Sequence, residues 1–213
     1  MTFDQLVASV IHDLKNQLQT LLDSEQAALQ HIPERYHAHI VPILQRTSKL
    51  KTDTLQLVTL FRMGEQQSFC MDDAWPLDTV NDVIESVQLQ FPQLQLNNRI
   101  DPQCQGFYNE TLLHLAVLTL ITNSAQAGAN QVTIEGDDRQ GLTLRVQDNG
   151  QGFSPDMLEH YQQGRVISTK TDGTGMGLYF VQLIAEHHRQ GEQRGHIQLR
   201  NTEQGAEVTL WLP

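Results

Sequence analysis

Between Asp148 and Leu178 the chain carries two short glycine clusters, Asp148-Asn149-Gly150-Gln151-Gly152 and Gly173-Thr174-Gly175-Met176-Gly177-Leu178. They hold five of its 14 glycines. Each cluster stands where a strand-like run gives way to a helix-like one, so the fold must bring strand ends and helix starts together there. A side chain at these positions would hold a polyphosphate away from main-chain N–H groups, and some of the turns need positive φ. Gly175 to His188 reads as a helix with Leu178, Val181, Leu183, Ile184 and Ala185 on its apolar face. Its N-terminus would aim free N–H groups at an anion. Either cluster alone is as readily a structural turn. Two in order, the first opened by a carboxylate, point to a phosphate-bearing ligand.

At 213 residues the chain has room for one large domain or two small ones. Its formal net charge of -11 argues against a sequence-independent hold on nucleic acid, which needs cations to neutralise phosphates. Cys70 and Cys104 have no metal-ligand spacing and do not make a disulfide framework. No apolar run approaches the length of a membrane span and the N-terminus is unlike a signal peptide, so the expectation is a soluble cytoplasmic protein.

The chain opens on a helix. Val7, Ile11, Leu14, Leu18, Leu21 and Ala28 follow alternating steps of four and three, with Glu25 in the one broken slot. Pro33 disfavours helical backbone at the residue before it and so ends the segment. A second helix starting near His37 tolerates Pro42 only in its first turn. Ile40, Ile43, Thr47, Leu50, Thr54, Leu57 and Phe61 repeat the same spacing, and Leu44 and Val58 widen the stripe. A hairpin of two such helices cannot cover its own apolar face, so pairing two copies into a four-helix bundle is expected. Packing of the hairpin onto the rest of its chain is the alternative.

Residues 65–75 read as a polar linker, dividing a hairpin at 1–64 from a second domain at 76–213. In that domain Leu77 to Phe91 and Glu110 to Ala127 are helical patterns, and Pro155 to Tyr161 is a short helix. Leu94 to Ile100, Val132 to Glu135 and Leu142 to Val146 read as strands, and Ile197 to Arg200 with Ala206 to Leu212 as a closing hairpin turned near Glu203 to Gly205. The fold class is therefore α+β: a helical hairpin, then an α/β sandwich with helices on one face of a mixed sheet.

Several polar residues are candidates for chemistry. His12, Asp13 and Asn16 share one patch of the first helix, and His12 should project outward from the bundle. A carboxylate beside an exposed imidazole holds one ring nitrogen protonated and leaves the other free to attack; an isolated His-Asp pair on a surface is more commonly inert. Asn123, at the polar end of an apolar helix, offers a neutral oxygen suited to hydrated Mg²⁺, or simply to its own backbone. Asp148 can accept from an exocyclic amine such as that of adenine, or merely initiate the turn.

Four blocks in this order resemble the sensor histidine kinases. His12-Asp13-Leu14-Lys15-Asn16 is similar to the phosphoacceptor box, Asn123 with its neighbours to the N box, Asp148-x-Gly150-x-Gly152 to the first glycine box, and Gly173-x-Gly175-x-Gly177 to the second. The resemblance covers nearly the whole chain. It implies a dimerisation and phosphotransfer hairpin followed by an ATP-binding domain of the gyrase and histidine-kinase type. His12 would take the γ-phosphate and pass it to an aspartate on a response regulator receiver domain. Asp13 would assist as base, and Asn16 would position water when the bundle acts as phosphatase. Asn123 would hold Mg²⁺ and Asp148 would read adenine. Gly173, Thr174, Gly175 and Gly177 would cradle phosphates, and Lys170 in a lid over residues 154–172 would reach them. The short lid and Asn123-Ser124-Ala125-Gln126-Ala127 look most like the nitrogen-regulation branch.

The chain departs from the family pattern in places. Gln17 stands where many members have proline, so a kink beside the phosphoacceptor is in doubt. Gln126 replaces a lysine that other branches use, which shifts weight to Lys170. Only eleven residues precede His12; if the chain is whole rather than a fragment, its input is expected from a separate sensor protein. Two other functions stay open: a phosphatase or phosphotransfer adaptor with little kinase activity, and an anti-sigma-type serine kinase on the same ATP-binding fold. A purely structural coiled-coil dimer leaves the glycine clusters unexplained.

Overall fold

The computed structural model describes residues 3–64, 69–88, 90–163 and 177–213. The chain divides into two compact units, Met1–Ser68 and Phe69–Pro213. The first is a hairpin of α1 (Phe3–His31) and α2 (His37–Gly64), joined by a 3-10 turn at Glu34–Tyr36. The end of α1 is closed by side chains: the His31 ring bonds the Ala27 carbonyl at 2.8 Å, and the His37 ring bonds that of Ile32 at 3.0 Å. These satisfy acceptors that a helix end leaves without partners. Pro42 falls in the second turn of α2 rather than its first. The helix tolerates it there, with the Ala38 carbonyl deprived of its usual donor at position 42.

Leu18, Leu22 and Leu44 of the hairpin are buried, and so are the polar residues Thr47, Ser48, Gln56 and Thr59. Thr47 donates to the Glu25 carboxylate at 2.9 Å, which is how the break in the apolar spacing is accommodated. Leu14, Leu21, Ile43, Leu50, Leu57 and Phe61 remain exposed. Ile43, Leu50 and Leu57 recur every seven residues, so they form one stripe along α2.

The second unit contains β1 (Asp72–Ala74), α3 (Pro76–Gln88), β2 (Gln95–Asn98), β3 (Gly106–Tyr108), α4 (Glu110–Gln126), β4 (Gln131–Asp137) and β5 (Leu142–Asp148). It continues through α5 (Pro155–Gln162), α6 (Gly177–His187), β6 (Arg189–Gln190), β7 (Gln193–Arg194), β8 (His196–Asn201) and β9 (Ala206–Leu212). Five strands form one sheet in the order β2-β4-β5-β9-β8, with β2 parallel to β4 and the remaining pairs antiparallel. The stretch read as linker contributes Asp72–Ala74 to a second, small antiparallel sheet with β3.

Strand alternation sets the layers. Leu142, Leu144 and Val146 of β5 are buried, as are Val132 and Ile134 of β4. Between them Glu135 and Arg145 face solvent, so the sheet is one-sided. Helices cover the inner face. α4 is apolar nearly all round and buries Leu112, Leu113, Ala116, Val117 and Ile121 completely or almost so, between α3 and α6. Each such leucine contributes about 2–3 kcal/mol relative to exposure. With the core on one face, Asp148 emerges at the end of β5 opposite Val132, beside the C-terminal end of α4.

Candidate functional site

Asp148 is 7 % exposed and accepts from three donors. Its Oδ1 accepts from the backbone N–H of Gly150 at 2.8 Å and of Ala206 at 3.2 Å, and its Oδ2 from the Ser124 hydroxyl at 2.7 Å. A carboxylate offers about four lone-pair positions, so one on Oδ2 is left for a ligand donor.

The turn that follows is tied to the end of α4. Asn149 Oδ1 accepts from the N–H groups of Asn130 and Gln131, both at 3.0 Å, while its amide donates to Asn130 Oδ1 at 2.6 Å. Space is tight here. A Cβ on Gly150 would stand 3.1 Å from the Ala127 carbonyl oxygen. Gly152 adopts φ +72°, and Asn201 then grips Phe153 through two backbone bonds, at 2.7 and 2.8 Å. The turn between β8 and β9 presses on the same place: a Cβ on Gly205 would meet the Asp148 carbonyl oxygen at 2.5 Å and the Gly150 nitrogen at 2.7 Å.

Asn123 precedes Ser124 on α4 and is half-buried. Gly177, the first described residue of α6, lies directly on it, since a Cβ there would be 3.0 Å from Asn123 Nδ2 and 3.3 Å from Oδ1. Asn123, Asp148, Gly150, Gly152 and Gly177 thus stand in one neighbourhood, built from α4, the turn after β5 and the start of α6. Leading away from it, Ser154 caps α5 by accepting from Met157 N–H at 3.2 Å, with Pro155 in the first turn. Tyr161 near the end of α5 donates its hydroxyl to the Ile197 carbonyl. Burial, with Glu186 nearby, pushes its phenol up from the ordinary value.

Lys170, Gly173, Thr174 and Gly175 lie outside the described residues, as does the side chain of His12. Asp13 and Asn16 are exposed on α1, in the other unit. Ser124, Asn149, Asn201 and Gly205 were not anticipated from the sequence. Ser124 stood in a stretch already singled out. Asn201 and Gly205 reach the turn only through sheet pairing, which no local pattern announces. Among the described residues no group of three or more His, Cys, Asp or Glu is placed to hold a metal.

A buried, multiply braced carboxylate stands at a glycine turn, and a second glycine lies on an asparagine of the neighbouring helix. Residues 108–213 match the family described as Histidine kinase-, DNA gyrase B-, and HSP90-like ATPase. Over 207 residues the chain is 32 % identical to the sensor histidine kinase RppB of Synechocystis, covering 87 % of this chain and 44 % of that protein. It is 29 % identical over 223 residues to the sensor histidine kinase ZraS of Salmonella typhimurium, covering 98 % of this chain and 45 % of that one. Among solved structures, the histidine kinase AdeS of Acinetobacter baumannii shares the fold, with TM-score 0.60 at 16 % identity over 92 % of this chain and 95 % of that chain. The chain carries a catalytic core of the sensor histidine kinase kind, with the ATPase domain at residues 108–213. It spans a little under half the length of these two relatives. No helix of the described residues is long and apolar enough to cross a membrane.

Proposed function

We propose that the chain is an ATP-dependent protein histidine kinase that phosphorylates His12 and passes the phosphoryl group to an aspartate of a response regulator receiver domain, and that it also acts as the phosphatase of that partner. Residues 1–64 serve as the dimerisation and phosphotransfer hairpin, 65–75 as linker and 76–213 as the ATP-binding domain, in a cytoplasmic homodimer nearest the nitrogen-regulation branch. The observation that carries the reading is Asp148, braced by three donors with one acceptor position of Oδ2 to spare, near the adjoining Asn123 and Gly177.

In this reading Asp148 accepts from the exocyclic amine of adenine. Gly150 and Gly152 let the backbone approach, and Gly173, Thr174, Gly175 and Gly177 with Lys170 hold the phosphates. The exposed stripe of Leu14, Leu21, Ile43, Leu50, Leu57 and Phe61 supports pairing of two hairpins. The Asn123 amide oxygen, half-buried under the glycine that starts α6, fits the sparse ligation that Mg²⁺ accepts. When bound, Mg²⁺ would offset phosphate charge in a protein of net charge -11. The neutral imidazole of His12 attacks the γ-phosphorus in line. The β–γ bridging bond breaks toward ADP, and Asp13 takes up the ring proton, leaving a phosphoramidate. Asn16 positions water for the reverse role.

Incubation with Mg²⁺ and γ-labelled ATP is expected to give acid-labile, base-stable label on the wild-type chain and none on His12→Gln. Equal labelling of His12→Gln, or no binding of ATP at all, overturns the reading.

A further inference from the structure

We propose that the outer face of the small β1–β3 sheet is a docking surface for an arginine- or lysine-bearing segment of a partner protein. Among the described residues of the second unit, Trp75 and Phe107 are the large apolar side chains left exposed, at 47 % and 52 %. They fall together. In the register of the sheet Phe107 stands opposite Asp73, while Ala74 and Tyr108, on the opposite face, are buried. Trp75 follows Asp73 by two residues and continues the alternation, which places it diagonally from Phe107, within reach of one ligand side chain.

The charge around the two rings is of one sign. Asp72 and Asp73 of β1 are exposed, as are Asp78 in the first turn of α3 and Glu110 in the first turn of α4. The Tyr108 phenol registers this: burial first, then Glu110 and Asp78, push it up to about 12 against a hydrogen bond with Thr79 at 2.9 Å. Helix dipoles favour Asp78 and Glu110 where they stand, but not Asp72 and Asp73. None of the four carboxylates is in an ion pair among the described residues. Residues 69–110 hold seven acidic side chains and one basic one, Arg99, which already faces Glu135 at 3.8 Å.

This setting selects the occupant. Nucleic acid and anionic membranes are repelled, and a two-fold contact with the same face of a second copy would set these carboxylates against themselves. A guanidinium or ammonium gains twice, from the aromatic face and from the carboxylate alongside it. The surface also stands clear of Asp148. A Cβ on Gly106 would be 2.9 Å from Leu142 Cδ2, at the start of β5, whereas Asp148 ends that strand, roughly 20 Å further on.

The test uses the full chain and two synthetic peptides of equal length, one alternating arginine with leucine and one alternating citrulline with leucine, which keeps the shape without the charge. In calorimetry the wild type is expected to bind the arginine peptide about tenfold or more tightly than the citrulline peptide. Trp75→Ser combined with Phe107→Thr removes both rings and leaves every charge in place. Trp75 caps α3 through its carbonyl, which accepts from Asp78 N–H at 3.1 Å, so serine suits the position, and threonine suits a strand. This variant is expected to bind the arginine peptide about tenfold more weakly with an unchanged thermal midpoint, and Asp73→Asn about threefold more weakly. A wild type that fails to bind the arginine peptide, or does not distinguish the two peptides, overturns the proposal. So does a double variant that binds like wild type, since the net charge of -11 would then attract the peptide anywhere. If the double variant unfolds, Asp73→Asn decides: weaker binding at an unchanged midpoint supports the surface, and unchanged binding overturns it.

Discussion

His188 is sealed in the second unit at 2 % exposure, with both ring nitrogens occupied. Nδ1 donates to the Ile184 carbonyl at 2.8 Å, and Nε2 accepts from Asn109 N–H at 3.2 Å. Asn109 in turn caps α4, accepting from Leu112 N–H at 2.9 Å and donating to the Cys70 carbonyl at 2.7 Å. One neutral tautomer of His188 therefore ties the end of α6 to the start of α4. Burial pushes its pKa below the ordinary value near 6.5; the bond to Ile184 opposes this, and His187 adds to it. The folded state therefore holds this proton more weakly than the unfolded chain. The stability involved is fully present above the unfolded pKa and is lost as pH falls below about 6.5. His187 is pushed down too, chiefly by burial and also by Arg189, so part of the effect persists without His188. The loss of stability of the second unit between about pH 7.5 and about pH 5.5 is expected to be smaller in His188→Gln than in wild type. Urea unfolding at both pH values checks this, and an equal pH dependence in the two proteins would count against the buried neutral imidazole.

At the scale of elements, the helical hairpin is unusual in what it hides. Thr47, Ser48, Gln56 and Thr59 of α2 are buried, whereas Leu50 and Leu57 are 55 % and 60 % exposed. Burial of threonine and serine yields little transfer free energy beside that of leucine, so an isolated hairpin would expose its best stabilising surface. A second copy laid on the stripe corrects this. Leu50→Asp combined with Leu57→Asp is expected to convert a dimer into a monomer in sedimentation or light scattering while leaving nucleotide affinity within about twofold. A wild type that is already monomeric, or a variant that stays dimeric, rejects the pairing. The stripe was legible because heptad spacing survives in sequence, as were the long helices and the alternating strands β4, β5 and β9. β1, β3, β6 and β7, two or three residues each, were not, since so short a run carries no period. The same limit applied to the site. Asp148 and Gly150 share a local motif. Asn201 and Gly205 reach that motif from more than 48 residues away, through the register of β8 and β9, and Ser124 was visible only as a neighbour of Asn123.

For the molecule as a whole, two compact units with cores of different kinds imply two unfolding events under different control. If the hairpin pairs with a second copy as proposed, its stability comes partly from association and its midpoint depends on protein concentration. The nucleotide unit has its own apolar core in α3, α4, α6 and the sheet, and gains from a bound ligand by mass action, about 2.7 kcal/mol at a hundredfold excess over Kd. Residue placement supplies the probes. Both tryptophans, Trp75 and Trp211, lie in the second unit, while the hairpin is helical along nearly all its described length and contributes heavily to far-ultraviolet circular dichroism. In urea, tryptophan fluorescence is expected to report a transition that Mg²⁺ and ATP move to higher denaturant and that dilution leaves in place. Circular dichroism is expected to show, in addition, a transition that moves to lower denaturant on dilution and ignores nucleotide. Coincident curves by both probes, shifted together by ATP and by dilution, would mean that the units unfold as one. The hairpin and the second unit would then be coupled, and a change in either would disturb the stability of both.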